Sequence, residues 1–187
     1  MKNLRVFTII FIAACAVYTG PAAVFASQKA VEIPVEVKSV ANVRHIGKTR
    51  LKVFGFSIYD AQLWAAADFS VGDYANTSFA LEIDYLRNFD NDAVAQRSIK
   101  EMRNIGSMKP EQESLWLAEM SRLFPDIKKG DRLVGIHQPG VGAVFAMNGK
   151  TIGEIRDPEF ARLFFGIWLS PKTSQPQMRR ELLGAKP

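Results

Sequence analysis

Cysteine is almost absent from this sequence: Cys15 stands alone among 187 residues. One cysteine excludes an internal disulfide framework and any cysteine-rich zinc site. Histidine is nearly as scarce. His45 and His137 lie far apart, and neither has an acid three or four residues on. No metal site is therefore expected, and both read as strand residues, His45 exposed in a basic patch and His137 at a strand end. Nucleophile-elbow, H-E-x-x-H, P-loop and G-x-G-x-x-G patterns are all missing. No catalytic residue is assigned and no cofactor is called for, and Gly140-Val141-Gly142 reads as a tight turn. No repeat at solenoid spacing occurs. The formal charge of +5 suggests a nucleic-acid partner, yet no helix-turn-helix, RNA-recognition or zinc-finger pattern accompanies it, and none is expected.

What is present is an ordinary globular composition. Hydrophobic residues make up 48% and charged residues 23%, which excludes disorder, and 187 residues suit one domain. The first residues stand apart. Lys2 and Arg5 precede an apolar stretch from Val6 to Val17, Gly20 and Pro21 break it, and Val24-Phe25-Ala26 offers small residues at the positions a signal peptidase reads. The stretch is too short for a transmembrane helix, which needs about 20 residues. Residues 1–26 read as a cleaved signal peptide, with cleavage near Ala26, residues 27–187 as the mature domain, and the location as periplasmic. A second reading stays open, since Ile12-Ala13-Ala14-Cys15 resembles a lipobox that would anchor the protein through Cys15. Removing residues 1–26 takes away Lys2 and Arg5 and no acid, so 24 basic residues become 22 against 19 acidic, a mature charge of +3.

Along the mature chain, residues 31–38 alternate apolar and polar as a half-buried strand, with Pro34 favouring an edge. Residues 41–46 extend it or begin another. Residues 50–67 carry Gly55 inside an apolar stretch and form one long bent strand or a tight hairpin. Residues 78–86 alternate cleanly as a strand, whose Glu82 and Asp84 read as a solvated pair. The period then changes. Asp90 and Asn91 start a helix that Gly106 ends, and Pro110 opens a second that Pro125 stops. Strands return at 131–137, 142–147 and 150–155, the last two joined by the hairpin signal Asn148-Gly149. Asp157-Pro158-Glu159 starts a strongly apolar helix, buried on more than one side. A short helix near Gln175–Leu183 ends at Gly184. This order predicts a segregated α+β fold with a mostly antiparallel sheet and helices on one face.

The segment from Gly47 to Trp64, with Phe54-Gly55-Phe56-Ser57-Ile58-Tyr59 at its centre, resembles the opening of the bacterial exported chalcone isomerase-like domain. The segment from Phe160 to Thr173 is similar to the closing helix and loop of that family, and Phe124-Pro125-Asp126 with Gly130-Asp131 fits between them. The resemblance spans about residues 31–184 and implies an open-faced β-sandwich, a large curved antiparallel sheet covered on one side by helices. The wider superfamily holds plant isomerases that close a chalcone to a flavanone, and non-catalytic relatives that bind fatty acids in the same cleft. In the isomerases an early-strand arginine works with a hydroxyl in a pattern resembling T-A-x-G-x-Y, and the binders carry Y-A-x-G-x-Y. Here Phe54 occupies the hydroxyl position and donates no hydrogen bond, which counts against flavonoid chemistry.

Binding remains physically sensible. An arginine fork at a cleft mouth pairs with a carboxylate, and an apolar tail gains about 0.8 kcal/mol per buried methylene. Arg44, Arg50, Tyr59 and Tyr85 are the candidate ligand-binding residues. The reading is an exported, non-catalytic protein binding a small apolar or amphipathic, fatty-acid-like ligand between sheet and helices. Two alternatives stand beside it: an isomerase of the chalcone isomerase type with an unidentified substrate, and a cell-envelope interaction module with a filled core.

Overall fold

In a computed structural model, which describes residues 33–185 apart from Asp68, the alternating segments form a single antiparallel meander. Its strands are β1 (Arg44–Val53), β2 (Phe56–Ala65), β3 (Phe79–Tyr85), β4 (Arg132–Gln138), β5 (Gly142–Met147) and β6 (Lys150–Ile155), and they lie in the sheet in sequence order. Helices α1 (Asn91–Ile105) and α2 (Pro110–Leu123) are inserted between β3 and β4, which nevertheless pair directly. Helices α3 (Pro158–Leu169) and α4 (Pro176–Leu182) follow β6. No described helix is long and apolar enough to cross a membrane. The signal-peptide and lipobox readings lie outside the described residues.

The two-residue period sorts β3 into two faces. Phe79, Leu81, Ile83 and Tyr85 join the main core with the helices, while Ala80 packs on the other face with Trp64 and Val134. The long segment at 50–67 resolves as a hairpin, because Phe54 and Gly55 both take left-handed φ values, +49° and +80°, and turn the chain back.

Residues 33–38 differ from expectation. Val31 and Glu32 lie outside the described residues, and the rest is not a strand: Glu36–Ser39 form a single 3-10 turn. The turn places Val37 and Val40 against Trp64, Ala80 and Val134, covering part of the outer sheet face. Alternation arises here because a short plug, like a strand, needs apolar residues on one side only. Glu82 also differs. It is 4% exposed rather than solvated, accepts a 2.7 Å hydrogen bond from Trp64 Nε1, and burial holds its carboxyl above the usual carboxylate range. His45 is half-buried and edge-on to Trp64, with ring centres 5.1 Å apart. His137 is buried, stacked on Phe79, with Nδ1 2.7 Å from the Thr77 carbonyl.

Helix α3 is the centre of the helical layer. Asp157 caps it through Oδ1, which accepts from the Glu159 and Phe160 amides, while Oδ2 accepts from Trp116 Nε1 of α2 at 2.9 Å. From Phe160 to Leu169 only Arg162 escapes full burial, as the all-round apolar pattern implies. Close approach of α1 to α3 depends on Gly166, where a Cβ would sit 2.6 Å from Ile105 Cγ2.

Candidate functional site

Tyr59 of β2 and Tyr85 of β3 are cross-strand partners, so both side chains stand on the same face of the sheet. Their rings meet edge to face with centres 6.1 Å apart. Helices α1, α3 and α4 pass over this region without closing on it, and a cavity of about 400 Å³ lies beneath them. Its inner wall is apolar, formed among others by Ile83, Phe124, Leu133 and Phe164, each nearly fully buried.

The two tyrosine hydroxyls have different surroundings. Tyr59 accepts a hydrogen bond from Trp168 Nε1 at 3.0 Å, and its hydroxyl lies 4.0 Å from Met178 Sδ of α4. Tyr85 is 7% exposed and lines the cavity, and its hydroxyl has no hydrogen-bond partner among the described residues. Burial pushes both phenols well above their ordinary range. Both therefore stay neutral and act as donors at any physiological pH.

The polar end of the cavity belongs to α1 and the loop before α4. Arg97 and Glu101, one helical turn apart, form an ion pair of 2.6 Å. Glu101 also accepts from Ser174 Oγ at 2.7 Å, tying α1 to that loop. Arg97 keeps 63% of its side chain exposed, so the guanidinium sits at the rim, where water and a ligand head can both reach it. Val53 and Ala93 complete an exposed mouth.

Of the four candidate residues, the structure brings Tyr59 and Tyr85 together in this cavity and leaves Arg44 and Arg50 outside its lining. Arg44 is exposed at the start of β1, where Nη2 donates weakly to the Ala67 carbonyl at 3.4 Å. Arg50 points to the opposite face, since its neighbour Leu51 faces the cavity and successive strand residues alternate. There it grips its cross-strand partner Asp60 in a bidentate pair of 2.5 and 2.7 Å. Phe54, at the hydroxyl position implied by the resemblance, is a turn residue 95% exposed at the hairpin tip and faces no cleft. Sequence reasoning did not single out Arg97, Glu101, Trp168 or Met178. For Arg97 and Glu101 a signal was present: they lie four residues apart on the helix whose apolar face holds Ala95, Ile99 and Met102.

No group of three or more potential metal-ligating side chains occurs among the described residues. Residues 41–184 match the model of a family described as chalcone isomerase-like. Over 104 residues the chain is 31% identical to an uncharacterized protein of Haemophilus influenzae, covering 56% of this chain and 50% of that protein. The chain thus spans about half the length of this curated relative. Among solved structures, a fatty-acid binding protein of Arabidopsis thaliana superposes with a TM-score of 0.60 at 11% identity, covering 76% of this chain and 87% of that one. The likeness is one of fold.

Proposed function

The chain belongs to the chalcone isomerase-like family, and from that premise we propose that it is a non-catalytic binding protein for one small ligand with an apolar body and a single polar end. The observation that carries this is Tyr85, 7% exposed, which lines a mostly apolar space and whose hydroxyl has no hydrogen-bond partner among the described residues. A hydrogen bond from this hydroxyl to a ligand atom contributes about 0.5–1.5 kcal/mol, so a ligand acceptor placed there gains specificity as well as energy. The volume of about 400 Å³ falls in the range of small-molecule sites, and such sites combine apolar walls with few polar groups, as here.

A fatty-acid-like molecule fits this chemistry. Its tail lies against Phe124, Phe164 and Leu133, and its carboxyl end accepts from the Tyr85 hydroxyl. The likeness in fold to the fatty-acid binding protein of Arabidopsis thaliana supports the same ligand class. The non-catalytic reading rests on Phe54, which stands at the hydroxyl position implied by the resemblance yet lies at the exposed hairpin tip, and on Arg44 and Arg50, which lie outside the cavity lining. A filled core, as the interaction-module reading requires, does not match the space between sheet and helices. Export to the periplasm belongs to this proposal and rests on the leader pattern of residues 1–26.

Titrating residues 27–187 with medium-chain carboxylic acids, following intrinsic tryptophan emission, to which Trp168 in the cavity lining contributes, tests the reading. A saturable one-to-one response, weakened about tenfold in Tyr85→Phe, is expected from the loss of one hydrogen bond. A response that never saturates, or that Tyr85→Phe leaves unchanged, overturns it.

A further inference from the structure

Exposed large apolar side chains are few on the described surface, and three of them, Val53, Phe54 and Phe56, fall within four consecutive residues at the β1–β2 tip. Phe54 is the extreme case. It is 95% exposed and takes φ +49°, a conformation that suits Asn or Gly and strains a bulky side chain. The turn thus carries an aromatic residue that is unfavourable both for its backbone and for its solvation. Cations flank it. Lys52 precedes the tip, and the Arg87 guanidinium lies 4.7 Å from the Phe56 ring centre while Nε donates to the Ser57 carbonyl at 3.2 Å. Neither Lys52 nor Arg87 forms an ion pair among the described residues, and no acid lies between residues 48 and 59.

We propose that the β1–β2 tip is a membrane-docking element that seats Phe54 and Phe56 at the surface of a bilayer containing anionic lipid, with Lys52 and Arg87 at the phosphate level. Charge complementarity favours this partner, because unpaired cations beside aromatic rings match an anionic headgroup layer. Size points the same way. A stable protein interface buries about 800 Å² per partner, while each aromatic side chain here supplies about 150–250 Å². Insertion into a lipid interface needs no more than that. The tip is also continuous with the cavity: Val53 is at once part of the exposed tip and part of the cavity lining, and half-buried Ile58 just beyond the tip lines the cavity too. Docking in this pose sets the cavity mouth against the lipid. The docking itself does not depend on which ligand the cavity takes.

Co-sedimentation of residues 27–187 with phosphatidylglycerol–phosphatidylethanolamine vesicles tests the proposal; the described elements all lie in the compact unit formed by residues 31–187. The wild type is expected to partition onto these vesicles more strongly than onto phosphatidylcholine vesicles. Phe54→Asn is expected to lower partitioning about ten- to a hundredfold, the range for withdrawing one aromatic side chain, without lowering the melting temperature, since Asn suits the turn. Lys52→Glu is expected to reduce binding to the anionic vesicles by at least about fivefold. Absence of wild-type binding, or equal binding of Phe54→Asn, overturns the proposal. So does a Phe54→Asn variant that loses self-association instead of vesicle binding, which would make the tip a contact between copies. The carboxylic-acid titration of Phe54→Asn in vesicle-free solution is expected to match the wild type, so a failure of docking is told apart from a failure of the cavity reading.

Discussion

Tyr59 and Tyr85 stand side by side on the same sheet face, yet their substitution should have opposite consequences. Tyr59→Phe strands the Trp168 indole N–H, which now donates to the Tyr59 hydroxyl at 3.0 Å. The expected loss is about 1–3 kcal/mol of stability, read from a shifted urea midpoint. Tyr85→Phe removes a hydroxyl that no described residue satisfies, so stability should change by less than about 0.5 kcal/mol while ligand affinity falls. Glu82 gives a pH test. Burial raises its folded-state pKa above the ordinary 4.5, so the folded state holds the proton more tightly than the unfolded one. Its contribution is most favourable below pH 4.5 and is lost as pH rises through the raised value. Glu82→Gln keeps an acceptor for Trp64 Nε1 and removes this dependence. The stability of Glu82→Gln relative to wild type should therefore rise between acid and neutral pH, measured by denaturation across that interval; a constant difference would show that Glu82 ionises freely.

At the scale of elements, the helical layer is held at van der Waals limits. A Cβ on Gly166 would lie 2.6 Å from Ile105 Cγ2 and 2.8 Å from the Tyr74 hydroxyl. Alanine raises helix propensity by about 1 kcal/mol, but overpacking costs about 1–3 kcal/mol. Gly166→Ala should thus lower the urea midpoint with little change in slope, and a raised midpoint would mean that α1 and α3 are free to separate. Helices α1, α2 and α3 were legible because local chemistry marks their ends: Pro110, the Asp157-Pro158 pair, and Gly106. Strand β3 was legible because its period of two is uninterrupted. The segment at Glu36–Ser39 was not, since a plug and an edge strand place the same demand on side-chain alternation. The cavity was half legible. Tyr59 and Tyr85 belong to strands whose register can be followed, whereas the choice between Arg50 and Arg97 depends on which face of β1 the helices cover. A bulge between Leu51 and Lys52 shifts the pairing there, and no local pattern announces it.

For the whole molecule, two properties bear on function, the fate of the first residues and the content of the cavity. Expressed in full in a Gram-negative host, the protein is expected in the periplasmic fraction with an N-terminus at Ser27, as N-terminal sequencing would establish; recovery of a diacylated Cys15 in the membrane fraction would select the lipoprotein reading. The space between sheet and helices is the seat of the proposed binding. Native mass spectrometry of residues 27–187, compared with Ile83→Trp, tests this space, because an indole at position 83 projects into the cavity from its wall, at a residue 4% exposed, and obstructs it. A one-to-one adduct is expected on the wild type after incubation with a medium-chain carboxylic acid, and none on a folded Ile83→Trp variant. Equal adducts on both proteins, or none on either, would contradict the proposed binding.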